Sequence, residues 1–184
     1  MSRTLSGSEA LPIVNFLKEE ARLLQKRAAA SEPNALRRLQ AGSPAVALGA
    51  DTQRKHALAT IAREVGFPNW KTVVACFEGR EGATFEAFLH PKRCHVYWNI
   101  WLASYEEAKS VREEHGGYLL CYGKQFIVVD ADYVTSLGID PFDTRWEQIS
   151  RNWHQPEDLS ARDSLALDIA KKHMQAAQPQ PAAA

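Results

Sequence analysis

The first third of the chain repeats apolar residues at the spacing of an α-helix. Ile13, Phe16, Leu17 and Leu24 fall on one side of a helical projection, with charged residues between them. This pattern predicts an amphipathic core helix over residues 11–30. A helix-start signal, Ser-Glu-Pro at residues 31–33, then predicts a short second helix over residues 34–40.

Residues 56–79 predict a helical hairpin or helix-turn-helix. Asp51 or Thr52 is expected to cap a helix that ends at Gly66, where a left-handed residue belongs, and Pro68 prevents its continuation. Asn69 is expected to cap a further helix, which Gly79 stops. The apolar positions of the two helices again recur at three, four and seven: Leu58, Ile61, Ala62 and Val65, then Trp70, Val73, Val74 and Phe77.

The pattern changes after the glycine-rich segment GREGA at residues 79–83. Residues 94–102 are aromatic and β-branched, which predicts a strand with Val96, Trp98, Ile100 and Leu102 on one face. A capping box at Ser104 predicts a helix to His115, and residues 118–122 and 125–129 predict two strands around a tight turn. Three more helices are expected, from residue 130 to 137, from 144 past Trp153, and from 160 to 174.

These elements predict an α+β fold. We expect an N-terminal four-helix module over residues 1–79, a hinge at 80–83, and a small α+β domain over 84–174 with about three antiparallel or mixed strands packed with helices. The low-complexity sequence of residues 175–184 predicts a disordered tail. The chain length suits one domain, or two small ones that share a core.

The two halves of the chain carry opposite charge. Residues 1–80 hold 12 Lys and Arg against 7 Asp and Glu, a net of +5, and residues 81–184 hold 10 against 15, a net of −5. A basic half could bind nucleic acid, or the halves could simply attract each other. If nucleic acid is the partner, the candidate contacts are Arg37, Arg38, Arg54, Lys55, Arg63, Asn69 and Lys71.

Cysteine usage and hydropathy bear on location. The three cysteines are odd in number and far apart, which favours reduced thiols in a cytoplasm. No stretch has the length and apolarity of a transmembrane helix, and we expect no membrane association.

Residues 11–79 resemble a small helical module found beside ankyrin repeats and beside glyoxalase-superfamily domains in bacterial proteins. That module has an LK-x-x-A-[KR]-x-L helix followed by an A-x-[EQ]-x-G-F-x-[ST/N]-W-x-x-L segment, and this chain departs from it by Val73 or Val74 in place of leucine. The resemblance implies a packing role for Phe67 and Trp70 and no chemistry. The matching positions are Leu17, Lys18, Ala21, Leu24, Ala62, Arg63, Glu64, Gly66, Phe67, Asn69 and Trp70.

The same stretch is similar to DNA-binding helix-turn-helix segments of the lac-repressor type. Two features depart from that pattern: the interval from Gly66 to Thr72 is one residue too long, and the bulky Trp70 stands where short polar side chains usually meet base edges. The shared positions are Ile61, Ala62, Val65, Gly66, Phe67, Thr72 and Val73.

Candidate chemistry is sparse. His90, Cys94, His95 and Cys121 could form a zinc site, but their spacing matches no usual ligand pair. Four aspartates, at 130, 132, 140 and 143, are explained as helix caps and turn residues. No phosphate loop, nucleophile elbow or dinucleotide motif is present, so we expect no cofactor.

One set of residues on the predicted sheet is a candidate interaction or ligand surface: His95, Tyr97, Asn99, Trp101 and Cys121. The favoured hypothesis is a non-enzymatic interaction or regulatory module of a bacterial cytoplasmic protein, with a protein partner or self-association through the sheet. DNA binding by the basic half is the first alternative. A small enzyme is the second, and it requires an open cleft that holds two or more polar groups such as His95, Asn99, Cys121 and Asp130.

Overall fold

A computed structural model of the chain describes residues 11–42, 52–80 and 82–177. Four helices come first, as the apolar spacing predicts, and Pro33 stands at the first position of the second helix. Asn69 caps the fourth helix, because its side-chain Oδ1 accepts a hydrogen bond from the Thr72 backbone N–H at 3.0 Å. The four are α1 (Pro12–Ala29), α2 (Pro33–Gly42), α3 (Arg54–Glu64) and α4 (Trp70–Phe77).

The second half is built around a three-stranded antiparallel sheet. Two 3₁₀ turns, Glu86–Phe88 and Lys92–Cys94, lead into it, and the strand order is β1-β3-β2. A parallel bridge between Leu119 and Asn152 flanks β2 on its outer side. The remaining elements are β1 (Asn99–Leu102), α5 (Tyr105–His115), β2 (Tyr118–Tyr122), β3 (Gln125–Val129), α6 (Ala131–Leu137), α7 (Thr144–Gln148) and α8 (Leu159–Ala177). The described residues thus form an α+β fold with eight α-helices.

The sheet separates two apolar layers. On one face Ile100, Leu102 and Val128 pack against α5, together with Leu119. On the other face Leu120 and Ile127 join a larger core that α1, α3, α4 and α8 share. Since that core contains residues from both halves of the chain, α8 packs directly on the helices of the N-terminal module.

A phenylalanine cluster joins the two halves across residues 80–83. Phe67 stacks on Phe88 with ring centroids 5.2 Å apart, and Phe77 and Phe85 surround the pair. Gly66 makes this contact possible, because its φ is +95° and an added Cβ would lie 2.8 Å from the Phe88 backbone nitrogen. The Gly-Phe turn therefore docks the N-terminal helices on the first 3₁₀ turn.

Three element predictions are wrong in their bounds. Residues 94–98 are not strand, because turn hydrogen bonds such as that from the Cys94 N–H to the Pro91 carbonyl at 2.8 Å shorten β1 to Asn99–Leu102. The helix from residue 144 ends at Gln148, so Trp153 lies beyond it. The cap of α3 is Gln53 and not Thr52, while Asp51 lies outside the described residues.

The domain boundaries remain predictions. Residue 81 of the expected hinge lies outside the described residues, and so do residues 178–184 of the expected tail. The first three residues of that tail, 175–177, belong to α8.

Candidate interaction surface at the free edge of the sheet

The strand β1 forms a free edge of the sheet. Within the described residues it pairs only with β3, where Asn99 lies opposite Val129 and Leu102 opposite Phe126. The other side of β1 therefore presents backbone N–H and C=O groups that no described strand pairs. Proteins usually protect such an edge with charged residues or proline, and β1 (Asn-Ile-Trp-Leu) contains neither.

Large apolar side chains lie exposed beside this edge. Val96, Trp98 and Trp101 have exposed fractions of 83%, 59% and 40%. Phe142, exposed by 85%, lines the same cleft as Trp98. These four residues are thus four of the five large apolar side chains exposed in the described residues, and the fifth is Leu159 on α8. We call Val96, Trp98 and Trp101 with β1 the aromatic edge.

The segment before β1 is anchored to α6 and α8. Arg93 donates from its Nε to the Ser136 carbonyl at 2.8 Å, and its Nη1 lies 2.9 Å from His173 Nδ1. The Cys94 side chain is fully buried, with its Sγ 3.6 Å from the Ser136 hydroxyl. These contacts fix the start of the segment, so that Val96 and Trp98 are held outward on a tethered turn.

A histidine–aromatic cluster supports the inner face of the edge. His90 stacks on His95 with centroids 4.6 Å apart, and it meets Trp101 and Tyr122 edge-on at 5.2 and 5.7 Å. The hydroxyl of Tyr133 donates to the Leu89 carbonyl at 2.9 Å and lies 2.6 Å from His90 Nδ1.

The Tyr133 contacts determine the tautomer of His90. Since the hydroxyl has one proton and donates it to Leu89, Nδ1 of His90 carries the proton that closes the second hydrogen bond. Burial, reinforced by the neighbouring His95, lowers the pKa of His90, so this imidazole is neutral at pH 7. The neutral His90 ring therefore contacts Trp101 edge-on without placing its own charge beside the indole.

A cleft of about 280 Å³ opens at the end of the sheet, and we call it the sheet-end cleft. Its lining includes the exposed Trp98 and Phe142, the charged Asp130 and Arg151, and His115. The lining also includes a Gly-Gly pair at residues 116–117 and residues at the ends of β2 and β3.

The predicted sheet-face residues do not converge on one site. His95 and Trp101 reach the same cluster through His90, although His95 does so from a turn and not from a strand. Asn99 donates from its side chain to the Tyr97 carbonyl at 2.9 Å, which braces the start of β1. Cys121 lies on β2, opposite Phe126 of β3, and burial raises the pKa of its thiol to about 12.

The enzyme and zinc hypotheses each require polar side chains that lie close together. Of the four polar residues that the enzyme hypothesis names, only Asp130 lines the sheet-end cleft. Within the described part of the chain, no group of three or more His, Cys, Asp or Glu side chains is placed to hold a metal ion. Asp130, Asp140 and Asp143 accept backbone N–H groups at helix starts and a turn, as expected for caps.

The candidate nucleic-acid contacts divide into two groups. Arg38 forms a bidentate ion pair with Glu64, with N–O distances of 2.8 and 2.7 Å and side chains only 10% exposed, and Asn69 serves as the cap of α4. Arg38 is therefore engaged inside the protein, whereas Asn69 is exposed and uses its side-chain oxygen as the cap. The other exposed members are Arg37, Arg54, Lys55, Arg63 and Lys71.

Arg37, Arg38 and Arg63 line one pocket of about 390 Å³ between α2 and α3. Gly42 and Ala177, the last residues of α2 and α8, line it too, so the carbonyl ends of two helices offset part of its positive charge. Arg54, by contrast, lies at the first position of α3 and donates to the Lys18 carbonyl at 3.3 Å.

Comparison with protein-family models, with curated proteins and with solved structures found no match to this chain. None of the described helices combines the length and the apolar character needed to cross a membrane.

Sequence reasoning missed most of the sheet-end cleft. Its residues come from five separate segments between 98 and 151, and nothing in their spacing predicts that they meet. The histidine–aromatic cluster was partly visible, because His95 and Trp101 were both candidate residues.

Proposed function

We propose that this chain is a non-enzymatic protein-interaction module of a bacterial cytoplasmic protein, and that it acts by self-association through the aromatic edge. The observation that carries the proposal is an uncharged edge strand flanked by exposed Val96, Trp98 and Trp101. In the monomer this surface leaves the outer backbone N–H and C=O groups of β1 unpaired and exposes apolar side chains to water. The three cysteines, all free, fit a reducing compartment.

A second copy of the chain is the occupant that the edge fits best. Two β1 strands related by a two-fold axis run antiparallel, which continues the antiparallel order of the sheet into six strands. Because the same patch faces itself in such a dimer, any charge on β1 would meet a like charge, and β1 has none. The exposed aromatic side chains are the type enriched at the centre of protein interfaces.

The test is sedimentation equilibrium over a wide range of protein concentration, with wild type and two variants. Val96→Lys places a cation at the edge, which is the device natural edge strands use against pairing. Leu159→Lys is the matched control, because Leu159 is also exposed but lies on α8, apart from the aromatic edge.

We expect wild type and Leu159→Lys to form dimers with similar dissociation constants. Val96→Lys is expected to raise the dissociation constant by about tenfold or more. A wild-type chain that stays monomeric at every concentration would refute the proposal. Equal dimerisation of all three proteins would refute the assignment of the edge.

A further inference from the structure

Two exposed aromatic side chains line the sheet-end cleft. Phe142 is exposed by 85% and Trp98 by 59%. Most other aromatic side chains in the described residues contact another ring, but Trp98 and Phe142 do not. Two such rings on one cleft form a surface suited to a flat apolar group.

Arg151 supplies a cation with unused donors. Its guanidinium lies over the Tyr118 ring, 5.3 Å from the centroid, and forms no ion pair or side-chain hydrogen bond within the described residues. A guanidinium carries five N–H donors in a planar fork that matches a carboxylate. The ring therefore orients the group while its donors stay available.

The backbone holds Arg151 in an unusual conformation. Ser150 and Arg151 have φ values of +51° and +50°, in the left-handed region that favours glycine. Main-chain bonds fix this turn, since the Arg151 N–H donates to the Trp146 carbonyl at 2.7 Å and the Leu119 N–H donates to the Arg151 carbonyl at 2.9 Å. Arg151 therefore occupies a backbone conformation in which glycine would be less strained.

Asp130 supplies the opposite charge. Its Oδ1 caps α6 by accepting from the Tyr133 N–H at 2.9 Å, and its Oδ2 has no hydrogen bond within the described residues. Gly117 lies close to the backbone of β3 just before Asp130, because an added Cβ would lie 2.6 Å from the Val129 carbonyl oxygen. The cleft consequently has one cation, one anion and two exposed aromatic side chains in a volume of about 280 Å³.

We propose that the sheet-end cleft binds a small aromatic zwitterion of the free amino-acid class. Arg151 pairs with the carboxylate of the ligand, Asp130 with its ammonium group, and Trp98 and Phe142 enclose its ring. The volume lies just below the roughly 300–1,000 Å³ range of drug-sized ligand sites, which suits a molecule of this size. The cleft shares Trp98 with the aromatic edge, whereas Val96 belongs to the edge and does not line the cleft, so a change at Val96 tests dimerisation alone.

The experiment is a calorimetric titration of the full chain with L-phenylalanine and two analogues that each lack one charge. We expect a dissociation constant on the order of 1 mM or below for L-phenylalanine. Phenethylamine lacks the carboxylate and 3-phenylpropionate lacks the ammonium group, and each is expected to bind about tenfold or more weakly. Equal affinity for all three, or no binding of L-phenylalanine, would overturn the proposal.

Three variants separate binding from folding. Arg151→Gly removes the guanidinium and relaxes the left-handed backbone, so its melting temperature should not fall while affinity drops about tenfold or more. Phe142→Ala truncates a ring that is almost entirely exposed and should weaken binding several-fold with no loss of stability. Leu159→Ala, an exposed apolar control on α8, should bind like wild type.

Two further results decide the matter. Wild-type affinity in both Arg151→Gly and Phe142→Ala would show that the ligand binds elsewhere, and the site would be rejected. The Val96→Lys variant is expected to bind L-phenylalanine as wild type does, so a loss of dimerisation and a loss of ligand binding can be told apart.

Discussion

His173 makes the stability of this protein depend on pH. The side chain is 5% exposed, and its Nε2–H donates to the Phe88 carbonyl at 2.8 Å. Its Nδ1 must then accept the hydrogen bond from Arg93, whose Nη1 lies 2.9 Å away. A second proton on this ring would have to replace that hydrogen bond and would face the Arg93 cation.

The magnitude follows from the pKa. Burial, opposed by the bond to Phe88 and reinforced by the Arg93 charge, lowers the pKa of His173 from 6.5 to about 4. Between those values the unfolded chain binds a proton that the folded chain does not, so stability falls as the pH drops from about 6.5 to about 4. At about 1.4 kcal/mol for each pKa unit, the loss is about 3 kcal/mol.

A glutamine at this position isolates the effect. His173→Gln keeps an N–H donor for Phe88 and an oxygen acceptor for Arg93 but cannot titrate. Urea unfolding of both proteins at pH 7, 6, 5 and 4 gives the free energy of unfolding at each pH. We expect wild type to lose about 3 kcal/mol more than the variant between pH 7 and pH 4, and parallel pH profiles would refute the reasoning.

Two further predictions concern the packing of the N-terminal helices. Gly66→Ala should lower the free energy of unfolding by about 2–4 kcal/mol, because the added Cβ would clash with the first 3₁₀ turn. Gly79→Ala is the control and should cost about 1 kcal/mol, because Gly79 also has a positive φ but has open space around it. Equal losses of stability in the two variants would contradict this docking. Glu64→Ala should lower the free energy of unfolding by about 3 kcal/mol, because it leaves the buried Arg38 unpaired. Arg22→Ala, which removes an exposed ion pair, should change the urea midpoint little. A small effect of Glu64→Ala would show that the Arg38–Glu64 pair is hydrated.

Local signals predicted much of the fold. Ser104 caps α5 by accepting from the Glu107 N–H at 3.1 Å, and the hairpin of β2 and β3 turns at residues 123–124 as expected. Gly66 has the left-handed conformation that its position after α3 indicates. Each of these features depends on a few residues close in sequence, which is why spacing and composition revealed them.

Features that depend on distant contacts were not predicted. The aromatic run at residues 94–98 has the composition of a strand, but Arg93 and Cys94 bind Ser136 of α6 and turn the chain before β1 can start. Trp153 falls at helical spacing from Trp146, yet left-handed residues 150 and 151 end α7 between them. Tertiary contacts outweighed local propensity in both cases.

The candidate surface shows the same limit. The sequence marks Trp101 and His95 as candidates, but His90, whose ring contacts both of them, enters only the zinc hypothesis. The sheet-end cleft brings together Trp98 and Arg151, which lie more than fifty residues apart, and a single sequence has no signal for that distance.

Hydrogen exchange of the β1 amides, measured at low and at high protein concentration, tests the central claim most directly. If the aromatic edge mediates self-association, the amides of residues 99–102 should exchange more slowly at high concentration, and those of α8 should not change. If the protein associates while the β1 amides exchange at an unchanged rate, the interaction surface lies elsewhere and the account is wrong.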